Sequence, residues 1–153
     1  AVYVQNIMEE AGLPVRVMSG LQIPQVCESY LYRRAQRHLE KKRIVIFAGG
    51  TGNPFFTTDT GAVLRASEMQ CDVIMKSTQV DGVYDSDPRK NPDAKRYDEV
   101  SYDEVIEKQL GVMDMTAIAM ARENKIPVMV FSQHEKGALF KAVCGKGKFT
   151  LIK

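Results

Sequence analysis

Residues 43–52 constrain the fold more tightly than any other stretch of the chain. Arg43-Ile44-Val45-Ile46-Phe47-Ala48 is a near-continuous apolar run, and three glycines, Gly49, Gly50 and Gly52, follow within four positions. A short apolar run bounded by turn residues reads as a strand buried on both faces, the kind found in parallel sheets. The glycines allow positive φ and a close backbone approach. Thr57 or Thr58 then caps a helix expected to run to about Gln70. A strand, a glycine turn and a helix in that order leave N–H groups at the helix start, where a phosphate is favoured. The G-x-x-x-x-G-K-[ST] spacing of the P-loop is absent.

The rest of the chain alternates in the same way. Residues 1–11 read as a helix with Val4, Ile7, Met8 and Ala11 on one face and Gly12 as its stop. Residues 14–18 are a short β-rich run. Residues 25–42 are expected as a second helix, amphipathic and strongly basic toward its end. Residues 72–76 read as a buried strand and residues 77–98 as a long polar loop rich in Pro and Asp. Ser101 and Glu104 form a capping-box pattern that opens the next helix. A further helix is expected over about 114–124, a strand over 127–131, a helix over 136–143 and a last strand over 149–152. This alternation defines an α/β protein with a mostly parallel sheet. Such sheets bind ligands at the carboxyl ends of strands, in loops that lead into helices.

Composition narrows the function. With 153 residues the chain suits one domain, and its net charge of +2 gives no electrostatic reason to expect nucleic acid or a membrane as partner. No apolar run approaches the roughly 20 residues of a membrane span. Cys27, Cys71 and Cys144 are odd in number and far apart, as expected of reduced cytoplasmic thiols. With only His38 and His134 besides, no zinc cluster is expected. The basic end of the second helix (Arg33, Arg34, Arg37, Lys41, Lys42, Arg43) is either an anion site or a solvated face that suits a helix C-terminus.

Three segments carry candidate chemistry. In the first, Thr51, Asn53, Thr57 and Thr58 offer neutral hydrogen-bonding groups, Pro54, Phe55 and Phe56 an apolar wall, and Asp59 a carboxylate able to orient a metal-bound phosphate. The alternative is a tight structural turn with a helix cap. In the second, Lys76 ends a strand where a mobile ammonium reaches a transferring phosphoryl group, Thr78 follows it, Tyr84 flanks a base, and Asp87 precedes Pro88. The alternatives are a solvated strand end, a packed aromatic and an Asx-turn. In the third, Val112-Met113-Asp114, the carboxylate either faces phosphates or caps the helix that follows.

These segments, in this order and spacing, resemble bacterial-type uridylate (UMP) kinases of the amino-acid-kinase superfamily. The resemblance rests on Thr51 to Asp59 (TGNPFFTTD), on Lys76 to Asp87 (K-S-T-x-V-D-G-V-Y-x-x-D) and on Val112-Met113-Asp114, and it covers nearly the whole chain. It implies a three-layer αβα sandwich around a mostly parallel sheet, the carbamate-kinase-like fold. It implies ATP-dependent phosphorylation of UMP to UDP, with Mg²⁺ accompanying ATP. By this resemblance Thr51, Gly52, Asn53, Pro54, Phe55, Phe56, Thr57 and Thr58 contact UMP, and Thr78, Tyr84 and Asp87 contact ATP. Lys76, Asp59 and Asp114 are the charged residues around the transfer, and no metal ligand is assigned. The chain is then a single domain, with residues up to about 45 ending an acceptor-side lobe and residues from about 46 to 153 forming a nucleotide-side lobe. The family pattern also implies a hexamer inhibited by UTP and activated by GTP. Its opening Lys-bearing strand, glycine turns and Arg have no counterpart in residues 1–153, so the chain is expected to be the C-terminal two-thirds of such an enzyme, inactive alone. The rival readings are a kinase of the same superfamily acting on a carboxylate or carbamate, and a non-catalytic nucleotide- or anion-binding relative.

Overall fold

The computed structural model describes all of residues 1–153. The chain divides after Gln70 into two compact units, Ala1–Gln70 and Cys71–Lys153. That division falls later than the lobe boundary near residue 45 that the resemblance implies.

The first unit holds α1 (Val2–Glu10), β1 (Val15–Ser19), β2 (Glu28–Ser29), α2 (Tyr32–Glu40), β3 (Ile44–Ala48) and α3 (Thr58–Glu68). Its sheet has the order β2-β1-β3 with both pairings parallel, and β1 runs in register with β3 from Val15 opposite Ile44 to Ser19 opposite Ala48. Val15, Val17, Met18, Ala35 and Val63 are its buried apolar residues. Gly12, at φ +81°, ends α1 as expected. The apolar stripe of α1 forms, but no residue of that helix is buried.

Two expectations for this unit need correction. Residues 25–42 are not one helix, since only Tyr32–Glu40 is helical. Ahead of it Glu28 and Ser29 pair with Met18 and Ser19, and the Tyr30 N–H donates to the Ser19 carbonyl. A strand partner takes the backbone groups that helix propensity would have used, which is a tertiary override of a weak local preference. The second correction is to β3, which is not buried on both faces. Ile44 is exposed and the other four residues are half-buried.

The second unit holds β4 (Ile74–Thr78), β5 (Glu99–Val100), α4 (Tyr102–Glu107), α5 (Met115–Glu123), β6 (Val128–Ser132), α6 (Ala138–Val143) and β7 (Phe149–Ile152). The sheet order is β4-β6-β7-β5, with β4–β6 and β5–β7 parallel and β6–β7 antiparallel. Together the two sheets make the mixed, parallel-dominated α/β class expected from the sequence. The core is Val100, Val105, Ala117, Ile118, Ala121, Val128, Val130 and Ile152, each at most 3% exposed. Ser101 caps α4 by accepting from the Glu104 N–H at 3.1 Å, as the capping-box pattern predicts. The two-residue strand β5 has no sequence signal of its own and exists through its pairing with Leu151 and Ile152.

Candidate active site

The glycine turn of the first unit is shaped by backbone packing. Gly49, Gly50 and Gly52 all have positive φ, at +74°, +56° and +77°. A Cβ on Gly52 would stand 2.6 Å from the Gly20 carbonyl oxygen, and one on Gly61 would stand 3.3 Å from the Cα of Gly50. The turn is thus packed closely between the end of β1 and the first turns of α3, most tightly at Gly52. It closes through the Gly52 N–H to the Gly49 carbonyl at 3.0 Å. Beyond it the Thr51 hydroxyl accepts from the Asn53 N–H at 3.1 Å, and the Asn53 amide donates to the Thr51 carbonyl at 3.3 Å.

Phe55 has φ +68° and is fully exposed, and Phe56 is 53% exposed. Thr57 is the N-cap of α3, its hydroxyl accepting from the Asp59 and Thr60 N–H groups at 3.1 and 3.2 Å. Thr58 is exposed, and Asp59 sits half-buried in the first helical turn, where a carboxylate complements the helix dipole.

In the second unit Lys76, Thr78, Tyr84 and Asp87 line one cavity of about 610 Å³. That volume lies within the range of small-molecule sites. Lys76 lies on β4, half-buried, two residues before its end. The Thr78 hydroxyl accepts from the Val80 N–H at 3.0 Å and donates to its carbonyl at 2.9 Å, which turns the chain away from the sheet. The Tyr84 hydroxyl donates to Asp81 at 2.6 Å, and this bond, then burial, raises the phenol above its ordinary range. Asp87 accepts from the Arg89 N–H at 3.0 Å, so the Asx-turn alternative describes what its carboxylate does in this structure. Asp114 likewise caps α5, accepting from the Ala117 N–H at 3.0 Å, and it does not line the cavity although Val112 does.

The cavity also takes in Gln79, Arg89 and Lys108, which the sequence reading passed over. Lys108 comes from the end of α4, and hydrogen bonds to Glu104 (2.6 Å) and Tyr97 (3.2 Å) push its ammonium up from its usual range. Its (i, i+4) spacing from Glu104 was the one available signal. The basic residues Arg33 and Arg37 of α2, and Lys41 just past its end, are exposed; Arg43 instead donates to His38 Nδ1 at 3.0 Å, and His38 Nε2 meets Glu28 at 3.2 Å. No helix is long and apolar enough to cross a membrane.

A glycine turn entering a helix, and a cavity of about 610 Å³ at a parallel strand, sit in an α/β framework. The chain belongs to the amino acid kinase family, whose model matches residues 1–132. It is 59% identical over 152 residues to the uridylate kinase of Rickettsia typhi, covering 99% of this chain and 62% of that one. The uridylate kinase of Paramagnetospirillum magneticum is 57% identical over 152 residues, covering 99% of this chain and 63% of that one. Among solved structures, the UMP kinase from Ureaplasma parvum superposes with a TM-score of 0.95 at 32% identity, over 99% of this chain and 65% of that one. The UMP kinase from Bacillus anthracis gives 0.89 at 40% identity, over 95% and 60%. The chain therefore spans about three-fifths of the length of the curated relatives it matches.

Proposed function

We propose that the whole protein transfers the γ-phosphoryl group of ATP to UMP, giving UDP for pyrimidine nucleotide synthesis in the cytoplasm. The observation that carries this reading is the single cavity that gathers Lys76, Thr78, Tyr84 and Asp87. These four residues came from one sequence segment assigned to ATP and the transferred phosphoryl group. The acceptor-side part is proposed to extend to Gln70, so that it includes Thr51 to Thr58, and the nucleotide-side part to begin at Cys71.

Phosphoryl transfer asks a protein mainly to position the two reactants and offset developing charge. Lys76 would meet the transferring group from the middle of β4. The Thr78 turn and the Tyr84–Asp81 bond hold the cavity wall in shape before ATP arrives. The exposed Phe55 and Phe56 and the Thr51–Asn53 turn would receive UMP. Asp59 and Asp114 are proposed to act on the charges around the transfer, Asp114 while capping α5.

No three His, Cys, Asp or Glu side chains cluster as a metal cage. Mg²⁺ needs no such cage, since it takes one or two carboxylates and completes its shell with phosphate oxygens and water. The ion is proposed to accompany ATP and would neutralise its phosphate oxygens. The protein is further proposed to be a hexamer inhibited by UTP and activated by GTP. The exposed Val4 and Ile7 of α1 are suited to a subunit contact.

The test is a coupled ADP-release assay on the full-length protein with UMP, CMP, AMP and glutamate as acceptors. UMP is expected to be preferred by up to about 10⁴-fold, since a site built to pair polar groups rejects analogues that leave them unpaired. Equal rates with CMP and UMP would overturn the assignment.

A further inference from the structure

A part-buried charge cluster underlies the glycine turn, and none of the roles above uses it. Arg65 of α3 is only 8% exposed. Its Nη1 donates to Glu68 Oε2 at 2.6 Å, and the Tyr30 hydroxyl donates to the same oxygen at 2.5 Å. The guanidinium lies 3.6 Å over the Tyr30 ring, which in turn meets Phe47 of β3 edge-on. Its other arm, Nη2, reaches the Gly50 carbonyl at 3.5 Å.

A buried ion pair is weak evidence for stability, because an apolar residue of similar volume often does as well or better there. What Arg65 supplies and an apolar residue lacks is a fixed fork, one arm tied to Glu68 and the other aimed at the turn. The backbone it reaches has positive φ on both sides of Thr51, at Gly50 and Gly52. Glycine there gives the needed conformation and also leaves the chain free to abandon it. The peptide unit is planar and trans, so fixing the Gly50 carbonyl oxygen also fixes the direction of the Thr51 N–H.

We infer that Arg65, oriented by Glu68 and Tyr30, is a positioning residue that clamps the Gly50–Thr51 peptide for a nucleoside monophosphate acceptor. This rests on the reading of the turn as the acceptor site. Arg65 touches no reactant itself. It acts by holding the turn in the binding conformation, which removes an ordering cost that the acceptor would otherwise meet.

The experiment compares Arg65→Met, Arg65→Lys and Tyr30→Phe with the unmodified full-length protein by three readouts. The first is amide hydrogen exchange over residues 49–56 without ligand. The second is KM for UMP and for ATP, and the third is Tm. Arg65→Met is expected to hasten exchange in that segment and to raise KM for UMP by about tenfold, short of the roughly 10²-fold that a 1 Å misplacement can cost. KM for ATP and Tm should stay near their original values. Arg65→Lys, which reaches one partner at a time, should recover part of the UMP effect, and Tyr30→Phe should show the smallest effect. Unchanged exchange over 49–56 in Arg65→Met would overturn the clamp. So would a fall in Tm with equal rises in both KM values, in Arg65→Met and Arg65→Lys alike, because that is a folding role. Faster exchange in a protein whose unmodified form releases no ADP with UMP would leave the clamp standing and sink the acceptor assignment instead.

Discussion

The turn at residues 49–57 and the loop at residues 79–98 both follow the end of a parallel strand, yet they are ordered by different means. The first is short and held through its backbone. Glycines at 20, 52 and 61 let three pieces of main chain touch, and its largest side chains, Phe55 and Phe56, face outward. The second is long and held through side chains. Thr150 of β7 accepts from the Val83 N–H at 2.9 Å and donates to the Tyr97 carbonyl. Arg96 bonds the Phe149 carbonyl at 2.5 Å and Asp98 at 2.6 Å, and Asp85 accepts from the Lys95 N–H at 2.9 Å. A turn packed main chain against main chain leaves Phe55 and Phe56 facing outward. A loop held by side chains can wall a cavity of about 610 Å³ but commits many of its polar groups to doing so.

The sharpest way to break this contrast is to add one methyl group. In Gly52→Ala the new Cβ would meet the Gly20 carbonyl at 2.6 Å, with φ at +77°. Strain and overpacking together should cost about 3 kcal/mol, a fall of roughly 6–12 °C in Tm at this chain size. Gly50→Ala is the internal control. Its φ is also positive, at +56°, but nothing lies within 4 Å of the added carbon. The left-handed conformation alone should cost about 1 kcal/mol, or roughly 2–4 °C. Thermal melts of the two variants side by side check this, and equal losses would show that close backbone approach does not order the turn.

The corresponding break in the loop is Thr150→Val, which keeps the shape and removes the hydroxyl. It leaves the buried Val83 N–H without its acceptor. That should cost about 2 kcal/mol, hasten hydrogen exchange over residues 83–97, and raise KM for ATP while KM for UMP holds. Thr150→Ser, which retains the hydroxyl, should recover most of the loss. A Thr150→Val protein with ordinary exchange in the loop would mean that Arg96 and Asp85 hold it unaided.

The same contrast explains how much was legible in the sequence. The turn was legible because its causes are local: three glycines, a Thr cap and an apolar strand sit within fifteen residues. The alternation of strands and helices, the Ser101 capping box and the long irregular loop were legible for similar reasons. What could not be read came from partners distant in sequence. β2 and β5 exist only through pairing with β1 and β7. Residues 25–29 lost their helical pattern to that pairing. Arg65 lies 15 residues from the carbonyl it holds, and an Arg followed three positions later by Glu reads as an ordinary surface pair on a helix. Asp87 and Asp114 show the converse, since each makes the turn or cap hydrogen bond that local rules assign it.

The smallest effect separates the two units by pH and vanishes near neutrality. Tyr30, in the cluster under the turn, has its phenol pushed up to about 12, first by burial and then by its bond to Glu68. Tyr102 of α4 is pushed up to about 12 by burial, with its hydroxyl donating to the Ile126 carbonyl. In the unfolded chain both phenols would ionise near 10.0. Between pH 10 and 12 the folded protein therefore holds more protons than the unfolded one, and stability must fall as pH rises through that window. Below pH 10 both phenols are neutral in either state, so they give no pH dependence. Ultraviolet difference absorbance of tyrosinate should show a late-titrating group lost in Tyr30→Phe and another lost in Tyr102→Phe. Because Tyr30 ionises beside Glu68, its titration should also hasten hydrogen exchange at residues 49–56, whereas that of Tyr102 should leave the turn unchanged. A turn whose exchange follows Tyr102 instead would contradict the assignment of its support to the Arg65 cluster.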